Sequence, residues 1–328
     1  GGPRIIKKKS ASAGPSSAAT PAYPFTPAAT PTILPSGYNA KPSTGGPTLA
    51  PTAGGPLNGK VVVVDPGHNG GFNPALHNKR VPSALGLFQC MASGTEADDQ
   101  SVAEHDITWA VGQKLADDLR AQGATVILTR PDDTGVGPCN ATRAEIANAA
   151  HADFLMSVHV DGERLGRNGI ADPRGFHVQL EKKMVGGQAV SDRSFASAQN
   201  VVRRMLELTN QPLTNYVPRK PAGIWQRSGD LTVLAGLKTT PGVLVEMGNI
   251  KNPKDLAELV DPTWQASVAT ALTAAIEDSL LVPEHMTPTP LPTTPSATPS
   301  GAPSGAPSAA GTPTLASASA TTATIATP

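Results

Sequence analysis

The stretch VVVVDPGHNGG, residues 61–71, predicts a buried β-strand that runs straight into a tight turn. Four consecutive valines are typical of a strand that is covered on both faces. Pro66 stiffens the turn, and the glycines of the stretch let the chain bend sharply. A buried strand does not explain His68, which the turn holds at the strand's carboxyl end. This histidine is therefore a candidate for chemistry.

Both ends of the chain have the composition of disordered segments. Residues 1–56 are rich in Pro, Ala, Ser and Thr without a sustained hydrophobic period, and residues 282–328 have the same character. Neither segment can bury enough apolar surface to offset its ordering entropy, so we expect both to be disordered. Residues 57–281 remain as a single domain, which is long enough for a sizeable core.

Charge and hydropathy argue against two kinds of partner. With 26 basic and 26 acidic residues the net charge is zero, so we expect no binding to nucleic acid. No apolar run approaches the length of a transmembrane segment. There is no signal-peptide core either, although a processed chain would lack one. The Pro/Ser/Thr-rich tail resembles the stalks of exported proteins, so we expect the periplasm, the cell wall or the extracellular space.

Cys90 and Cys139 are the two cysteines of the chain. They are either two unrelated thiols or one disulfide bond, and a disulfide fits an exported protein. In the chain-entropy model, a bridge across a loop of this size stabilises the fold by about 4 kcal/mol. The sequence leaves the choice open.

The central domain alternates strand and helix patterns. Short apolar runs predict strands at residues 60–64, 125–129, 154–160, 175–181 and 242–247. Amphipathic stretches lie between and after these runs, and one of them has Thr142 and Glu145 in capping-box register. We therefore expect an α/β fold, with a central, mostly parallel (mixed) twisted sheet of about six strands and helices on both faces.

Polar side chains occupy the carboxyl ends of three predicted strands, where α/β sheets gather their ligands. These residues are His68, His159 and Glu246. A single buried histidine is often only a hydrogen-bonded core residue, but a glutamate inside VLVEM is costly unless it is paired, metal-bound or catalytic. Glu104 opens a helix and forms a capping-box pattern with Ser101, yet it would also point at the same strand ends.

Together these residues predict a hydrolytic zinc site. Two imidazoles and a carboxylate, from His68, His159 and Glu104, leave the fourth position of a tetrahedral zinc ion open. Glu246, a further glutamate that is not a ligand, then has a chemical role, because it can take a proton from the zinc-bound water and pass it to the leaving group. Four unrelated structural residues would not form one coherent arrangement.

The order of the motifs resembles a known family. VVVVDPGHNGG, a glutamate that opens a helix before LADDLRAQGATVILTRPDD, then RAEIANAAHADFLMSVHVDG and PGVLVEMGNIKNPKDLAEL are similar to the zinc-dependent N-acetylmuramoyl-L-alanine amidases of the amidase-3 type. The resemblance covers nearly all of the central domain and neither tail. It implies a mixed α/β sandwich, Zn2+ bound by His68, Glu104 and His159, and Glu246 as the catalytic acid/base.

The resemblance also implies a reaction. The bond to be hydrolysed is the amide between the lactyl group of N-acetylmuramic acid and the first L-alanine of the peptidoglycan stem peptide. Such a reaction serves cell-wall remodelling, turnover or daughter-cell separation. The implied partners are peptidoglycan or muropeptide fragments, and nothing in the sequence demands more than a monomer.

Four further residues are candidates for supporting roles. Asp65 and Asn249 are candidates for orienting ligands or substrate, and for Asp65 stabilisation of its turn is an equal alternative. Arg143 matches an arginine of the family and is expected to form a structural ion pair. His177 lies on a predicted strand and is a candidate for lining the cleft.

Two segments depart from the family's simplest pattern. Residues 72–103 look longer and carry Cys90, and we expect them to form a wall or lid beside the site. Some family members insert an inhibitory helix after the second zinc histidine. Here that segment, DGERLGRNGIADPRG, is short, polar and rich in turn formers, so we expect an open site.

Two other functions stay open at the level of the sequence. A zinc peptidase that cuts within the stem peptide would use the same residues, because zinc and a glutamate do not decide which amide is cut. A non-catalytic wall-binding protein on the same fold is the second alternative. Such proteins usually lose a ligand or the catalytic glutamate, and all four residues are present here.

Overall fold

The strands of this protein form one large sheet and one small hairpin. The computed structural model describes residues 44–217 and 221–281, and the disorder predicted for residues 1–43 and 282–328 lies outside them. The described strands are, in chain order, β1 (Thr48–Leu49), β2 (Val61–Pro66), β3 (Arg80–Ser83), β4 (Gly86–Gln89), β5 (Thr125–Leu128), β6 (Phe154–Asp161), β7 (His177–Glu181), β8 (Ile224–Arg227) and β9 (Gly242–Asn249). Seven of them form a sheet in the order β1-β5-β2-β6-β9-β7-β8, and β3 pairs with β4.

The large sheet is mixed, as predicted, and its centre is parallel. Strands β5, β2, β6 and β9 are parallel neighbours, β7 runs antiparallel to β9, and β8 runs parallel to β7. All five strands predicted from apolar runs are present, as β2, β5, β6, β7 and β9. The two outer strands were not predicted, because β1 has 2 residues and β8 has 4, and neither contains a continuous apolar run.

Helices follow most of the strands. The described α-helices are α1 (Pro74–His77), α2 (Glu104–Ala121), α3 (Asn140–Ala149), α4 (Gly187–Leu208), α5 (Thr232–Ala235), α6 (Pro253–Leu259) and α7 (Pro262–Leu281). Helix α7 packs against both α2 and α4. In the part of the chain that the structure describes, no helix is long and apolar enough to cross a membrane.

The helices cover both faces of the sheet. The side chains of β2 show this, because successive residues point to opposite faces and contact different helices. A Cβ on Gly112 of α2 would lie 3.7 Å from Cγ1 of Val64. Val63, which points to the opposite face, belongs to an apolar cluster with Leu234 of α5. Both faces are therefore buried, which explains the continuous run of valines in this strand.

The folded domain includes residues before 57, which corrects the predicted disorder for residues 44–56. Thr48 pairs with Ile127 at the edge of the sheet, and the Thr52 N–H donates to Arg120 O (3.0 Å). These hydrogen bonds join residues 44–56 to the domain through main-chain groups. Composition carries no signal for such contacts, because every residue except proline offers the same donor and acceptor.

The segment between β2 and α2 is fixed to the rest of the domain by a disulfide bond. It carries α1 and the β3–β4 hairpin, and Cys90 directly after the hairpin is bonded to Cys139. Cys139 is the N-cap residue of α3, which begins at Asn140. The predicted capping box of Thr142 and Glu145 is therefore wrong, since the helix starts two residues earlier. Of the two alternatives left open by the sequence, the structure has the disulfide bond and not two separate thiols.

Candidate active site

The three side chains predicted as metal ligands meet at the carboxyl ends of β2 and β6. His68 follows β2, His159 lies near the end of β6, and Glu104 is the first residue of α2. His159 Nδ1 is 3.1 Å from His68 Nε2 and 3.0 Å from Glu104 Oε1, and His68 Nε2 is 3.1 Å from Glu104 Oε2. The three side chains are between 5% and 16% exposed. The fold thus brings the predicted set to one partly buried point.

The turn after β2 holds His68 in a conformation that few residues adopt. Its φ of 63° lies in the left-handed region, which costs a residue other than glycine roughly 1–2 kcal/mol. Its neighbour must be Gly67, because a Cβ there would lie 2.4 Å from Cε1 of His159. Thr108 Oγ1 donates to Gly67 O and Arg143 Nη2 donates to His68 O, both at 2.8 Å. Buried donors therefore hold the strained turn, as is common at functional sites.

Backbone groups fix the direction of two of these side chains. His68 Nδ1 donates to the carbonyl oxygen of Ala92 (2.9 Å), so in the neutral ring Nε2 carries the lone pair and faces the other two residues. Glu104 accepts from the backbone N–H groups of Thr95 (3.1 Å) and Val160 (2.9 Å). Ala92 and Thr95 follow the disulfide-bonded hairpin. The predicted wall therefore contacts the candidate ligands directly.

Glu104 is available to the site because other groups cap its helix. The N-cap residue of α2 is Ala103, whose N–H donates to Oδ2 of Asp106 (2.9 Å). The hydroxyl of Ser101, the partner in the predicted capping box, donates instead to Asp99 Oδ1 (2.6 Å). The capping interpretation of Glu104 is therefore wrong, and its carboxylate faces the two histidines.

The donor set fits a zinc ion. Burial opposes the ionisation of Glu104, but His68 and His159 hold the pKa of its carboxyl well below the usual range, so it stays ionised. Imidazole nitrogens and carboxylate oxygens are ligands that zinc accepts, and neighbouring ligand atoms in a tetrahedral zinc site lie about 3.4 Å apart. The separations of 3.0–3.1 Å between these three residues are close to that value.

Glu246 lies on β9 directly beside His159, in register with it across the parallel strand pair. Its Oε1 accepts from Gln179 Nε2 (3.1 Å), whereas its buried Oε2 has no hydrogen-bond partner among the described residues. Burial raises the pKa of this carboxyl well above its ordinary value, and repulsion from Asp161 and Glu104 acts in the same direction. A carboxyl group with a raised pKa and a free oxygen suits acid/base work near neutral pH.

His177 lies on the other side of Glu246, opposite it in the antiparallel pair of β7 and β9. The imidazole is fully buried, and burial together with the charge of Arg227 lowers its pKa to about 3, so the ring stays neutral. Its Nδ1 has no hydrogen-bond partner among the described residues, and its Nε2 lies 3.3 Å from Gln179 Nε2. The histidine predicted to line the cleft thus adjoins the candidate acid/base.

Asp65 and Arg143 form a buried ion pair (2.9 Å) beneath the turn, which is the structural role predicted for Arg143. Thr129 and Ser157 donate their hydroxyls to the two oxygens of Asp65, at 2.5 and 2.6 Å. Burial opposes ionisation of Asp65, but these three partners hold its pKa below the ordinary value. Of the two roles predicted for Asp65, its contacts favour stabilisation of the turn.

The loop after β6 contains no long helix. Its one helical element is a single 3-10 turn at Arg167–Gly169, in agreement with the absence of an inhibitory helix predicted from its sequence. Asn249 donates to the carbonyl oxygens of Glu163 (2.8 Å) and Pro173 (2.7 Å). Its side chain therefore anchors this loop, rather than orienting the candidate ligands. An open site stays a prediction.

A second group of potential metal ligands, His105, Asp106 and Asp133, is already paired with the side chain of Arg130. His105 Nδ1 is 3.0 Å from Asp133 Oδ1, and Asp106 is the third member of the group. Arg130 Nη1 donates to the same oxygen of Asp133 (2.6 Å). The guanidinium supplies the positive charge here, which agrees with the omission of His105 from the predicted site.

Gln179 and Arg227 were not predicted from the sequence, although both reach the site. Gln179 Nε2 contacts Glu246, and Arg227 Nη1 donates to Gln179 Oε1 (3.2 Å). One signal was present in β7, whose sequence HVQLE places three polar residues at a spacing of two. Polar side chains on one face of an otherwise buried strand indicate a site on that face.

Comparison with known proteins identifies the family to which the chain belongs. Residues 62–278 match the family model Amidase_3, described as N-acetylmuramoyl-L-alanine amidase. The N-acetylmuramoyl-L-alanine amidase Rv3717 of Mycobacterium tuberculosis is 35% identical over 236 residues, which cover 70% of this chain and 91% of that protein. Two solved amidases named Ami1 have the same fold: that of Mycobacterium abscessus (33% identity, TM-score 0.59, 68% of this chain and 99% of that one) and that of Mycobacterium smegmatis (31% identity, TM-score 0.61, 68% and 98%). The chain therefore belongs to the amidase-3 family of N-acetylmuramoyl-L-alanine amidases.

Proposed function

We propose that this chain is a zinc-dependent hydrolase of the amide bond between N-acetylmuramic acid and the first L-alanine of the peptidoglycan stem peptide. The family match and the 35% identical relative support the amidase reaction. One observation carries the zinc dependence: the candidate ligand atoms of His68, Glu104 and His159 lie 3.0–3.1 Å from one another. Glu246, in register beside His159, is the proposed acid/base.

In the proposed mechanism, His68 Nε2, His159 Nδ1 and a carboxylate oxygen of Glu104 would hold the ion. Zinc, when bound, supplies a lowered pKa to the attacking water and polarisation of the substrate carbonyl. Glu246 Oε2, the buried oxygen without a partner among the described residues, accepts the proton of that water. It then donates the proton to the nitrogen of the departing alanine, so the carboxyl returns to its starting state.

We further propose that the enzyme works outside the cytoplasm, as a monomer, on peptidoglycan or muropeptide fragments. The disulfide between Cys90 and Cys139 supports an oxidising compartment. The Pro/Ser/Thr-rich composition of residues 282–328 is typical of exported proteins. A single domain contains all four proposed site residues, so a second copy is not needed for the reaction.

Digestion of a defined muropeptide tests the proposal. Wild type should contain one zinc ion per chain and release a stem peptide with a free N-terminal alanine, detected by mass spectrometry. Glu246→Gln keeps the shape of the side chain but cannot transfer the proton, so the rate should fall by about 10²- to 10⁴-fold while zinc is retained. Glu207→Gln, at an exposed glutamate of α4, is the matched control and should leave the rate unchanged.

Several results would contradict the proposal. Fragments cut within the stem peptide would indicate a peptidase, and zinc-loaded wild type without any release would favour the wall-binding alternative. A rate for Glu246→Gln within tenfold of wild type would refute the role of this residue. His159→Ala should lose zinc, so full zinc content in that variant would refute the ligand set.

A further inference from the structure

A chain of hydrogen bonds reaches Glu246 from β7 and β8. These strands lie on one side of β9, whereas β6, which carries the candidate ligand His159, lies on the other side. Gln179 Nε2 donates to Glu246 Oε1 (3.1 Å), and Arg227 Nη1 donates to Gln179 Oε1 (3.2 Å). Arg227 is itself held by Asp230, whose Oδ2 accepts from its Nε (2.9 Å). The side chain of Gln179 is buried, so these contacts are shielded from competing water.

We propose that Gln179 is the positioning residue of Glu246, and that Arg227 fixes the amide of Gln179 in the orientation this requires. The inference rests on the proposed role of Glu246 as acid/base. A glutamine amide has a donor end and an acceptor end, and its two orientations differ only in which end faces a neighbour. A guanidinium can only donate, so Arg227 holds Gln179 Oε1 and turns Nε2 towards the carboxylate.

This contact decides which oxygen of Glu246 is free to react. Oε1 is occupied by the Gln179 amide, whereas Oε2 is buried and has no hydrogen-bond partner among the described residues. A carboxylate anchored at one oxygen rotates less than a free one, so the other oxygen keeps a constant direction. Proton transfer requires such alignment, because donor and acceptor must lie within hydrogen-bond reach.

The strands give this chain of contacts a rigid frame. His177 is in register with Glu246, and Gln179 follows His177 by two residues on β7, so the side chains of all three lie on one face of the sheet. Gln179 in turn is in register with Trp225 of β8. Arg227 lies two residues beyond Trp225 on that strand and stacks on its ring, 4.0 Å from the centroid. Glu246, Gln179 and Arg227 therefore each come from a strand rather than from a loop.

Gln179→Met tests the inference, because methionine has nearly the same length but no amide. With the muropeptide substrate, kcat should fall by about 10- to 100-fold, as expected for loss of a hydrogen bond to a charged group. KM and zinc content should stay at the wild-type values, because Gln179 contacts Glu246 and no candidate ligand. Gln188→Met is the matched control, since Gln188 is an exposed glutamine of α4 that donates to Asp192 Oδ1 (2.7 Å).

Arg227→Met tests the second link of the chain. Alone it should lower kcat, but in the Gln179→Met background it should add little, because Arg227 acts through the amide that is then missing. The side chain of Arg227 is 25% exposed, so we expect Arg227→Met to fold. The loss of kcat in this variant therefore tests the inference even if Gln179→Met does not fold. Fully additive losses would overturn the role of Arg227.

Comparison with Glu246→Gln separates the two proposals. Suppose that Glu246→Gln is inactive, whereas Gln179→Met binds zinc and has a kcat within threefold of wild type. This result would overturn only the present inference. A rate for Glu246→Gln within tenfold of wild type would refute the acid/base role on which this inference rests, whatever Gln179→Met does. A loss confined to KM in Gln179→Met would also contradict a positioning role, because it would show a contact with substrate instead.

Discussion

Replacing Arg143 with methionine tests whether the buried ion pair beneath the turn supports the candidate metal centre. The guanidinium donates at 2.8–2.9 Å to four oxygens, which belong to Asp65, Pro66, His68 and Asn69. Methionine fills much of the same volume but donates nothing. Asp65 then keeps a buried charge without its cation, and His68 loses a donor that holds its left-handed conformation.

The expected loss of stability is large. Removing one partner of a buried ion pair costs about 3–5 kcal/mol, chiefly because the remaining charge is left uncompensated. A typical domain is stable by only about 5–15 kcal/mol, so Arg143→Met should fold with a much reduced free energy of unfolding. Adding Asp65→Asn removes the isolated charge. The double variant should therefore be more stable than Arg143→Met alone.

The effect of pH on this pair has a definite sign. The pKa of Asp65 in the folded chain lies below its ordinary value of 3.8. The ion pair therefore stabilises the fold at pH values above 3.8, and this contribution is lost as the pH falls through the folded-state pKa. Arg143→Met lacks that contribution at every pH, so it should lose less stability than wild type on acidification.

Urea unfolding at neutral pH measures the free energy of unfolding of each variant. Lys238→Met is the control, because Lys238 and Glu145 form a surface pair that is 58% and 57% exposed. Such a pair contributes less than about 1 kcal/mol. A loss below about 1 kcal/mol for Arg143→Met, or a double variant that is less stable than the single one, would refute the reasoning.

Two further predictions concern the segment that follows the hairpin. Replacing Cys90 and Cys139 by serine should lower the free energy of unfolding by about 4 kcal/mol, because the bridge spans 49 residues. Wild-type stability of this variant in urea would argue against that account. Gly94→Ala places a Cβ 2.9 Å from Glu104 Oε2 at a φ of +80°, so zinc affinity, measured by competition with a chelator, should fall by about 10- to 100-fold. Gly86→Ala is the control, because Gly86 also has a positive φ (+98°) but an added Cβ would have nothing within 4 Å. This variant should leave the zinc affinity unchanged. Equal losses of affinity in both variants would assign the effect to backbone strain alone.

The sequence predicts the candidate site better than it predicts the limits of the domain. Apolar runs identify the central strands, and the carboxyl ends of parallel strands lie at one edge of a sheet. Polar residues at those ends, such as His68, His159 and Glu246, must therefore lie near one another. Glu104 is harder to assign, because a glutamate at the start of a helix also fits a capping box. Its assignment depends on which neighbour caps the helix.

Contacts between distant segments set the limit of such reasoning. Thr48 joins the sheet through main-chain hydrogen bonds, which no side-chain pattern reveals. The contact of Gln179 with Glu246 depends on β7 lying antiparallel beside β9. Local sequence predicts each of these strands, but their pairing is a property of the whole fold, and so is the approach of Arg227 from the next strand.

His159, Glu246 and His177 stand side by side on three adjacent strands. Neighbouring strands are about 4.8 Å apart, and successive side chains alternate between the two faces. Deleting one residue within β9 before Glu246 would turn its carboxyl away from both histidines, a larger change than most substitutions produce. The loop that contacts the candidate ligands through Ala92 and Thr95, by contrast, has a length that does not enter that spacing. Insertions or deletions in that loop should therefore leave the spacing between His159 and Glu246 unchanged, because the strand pair alone sets it.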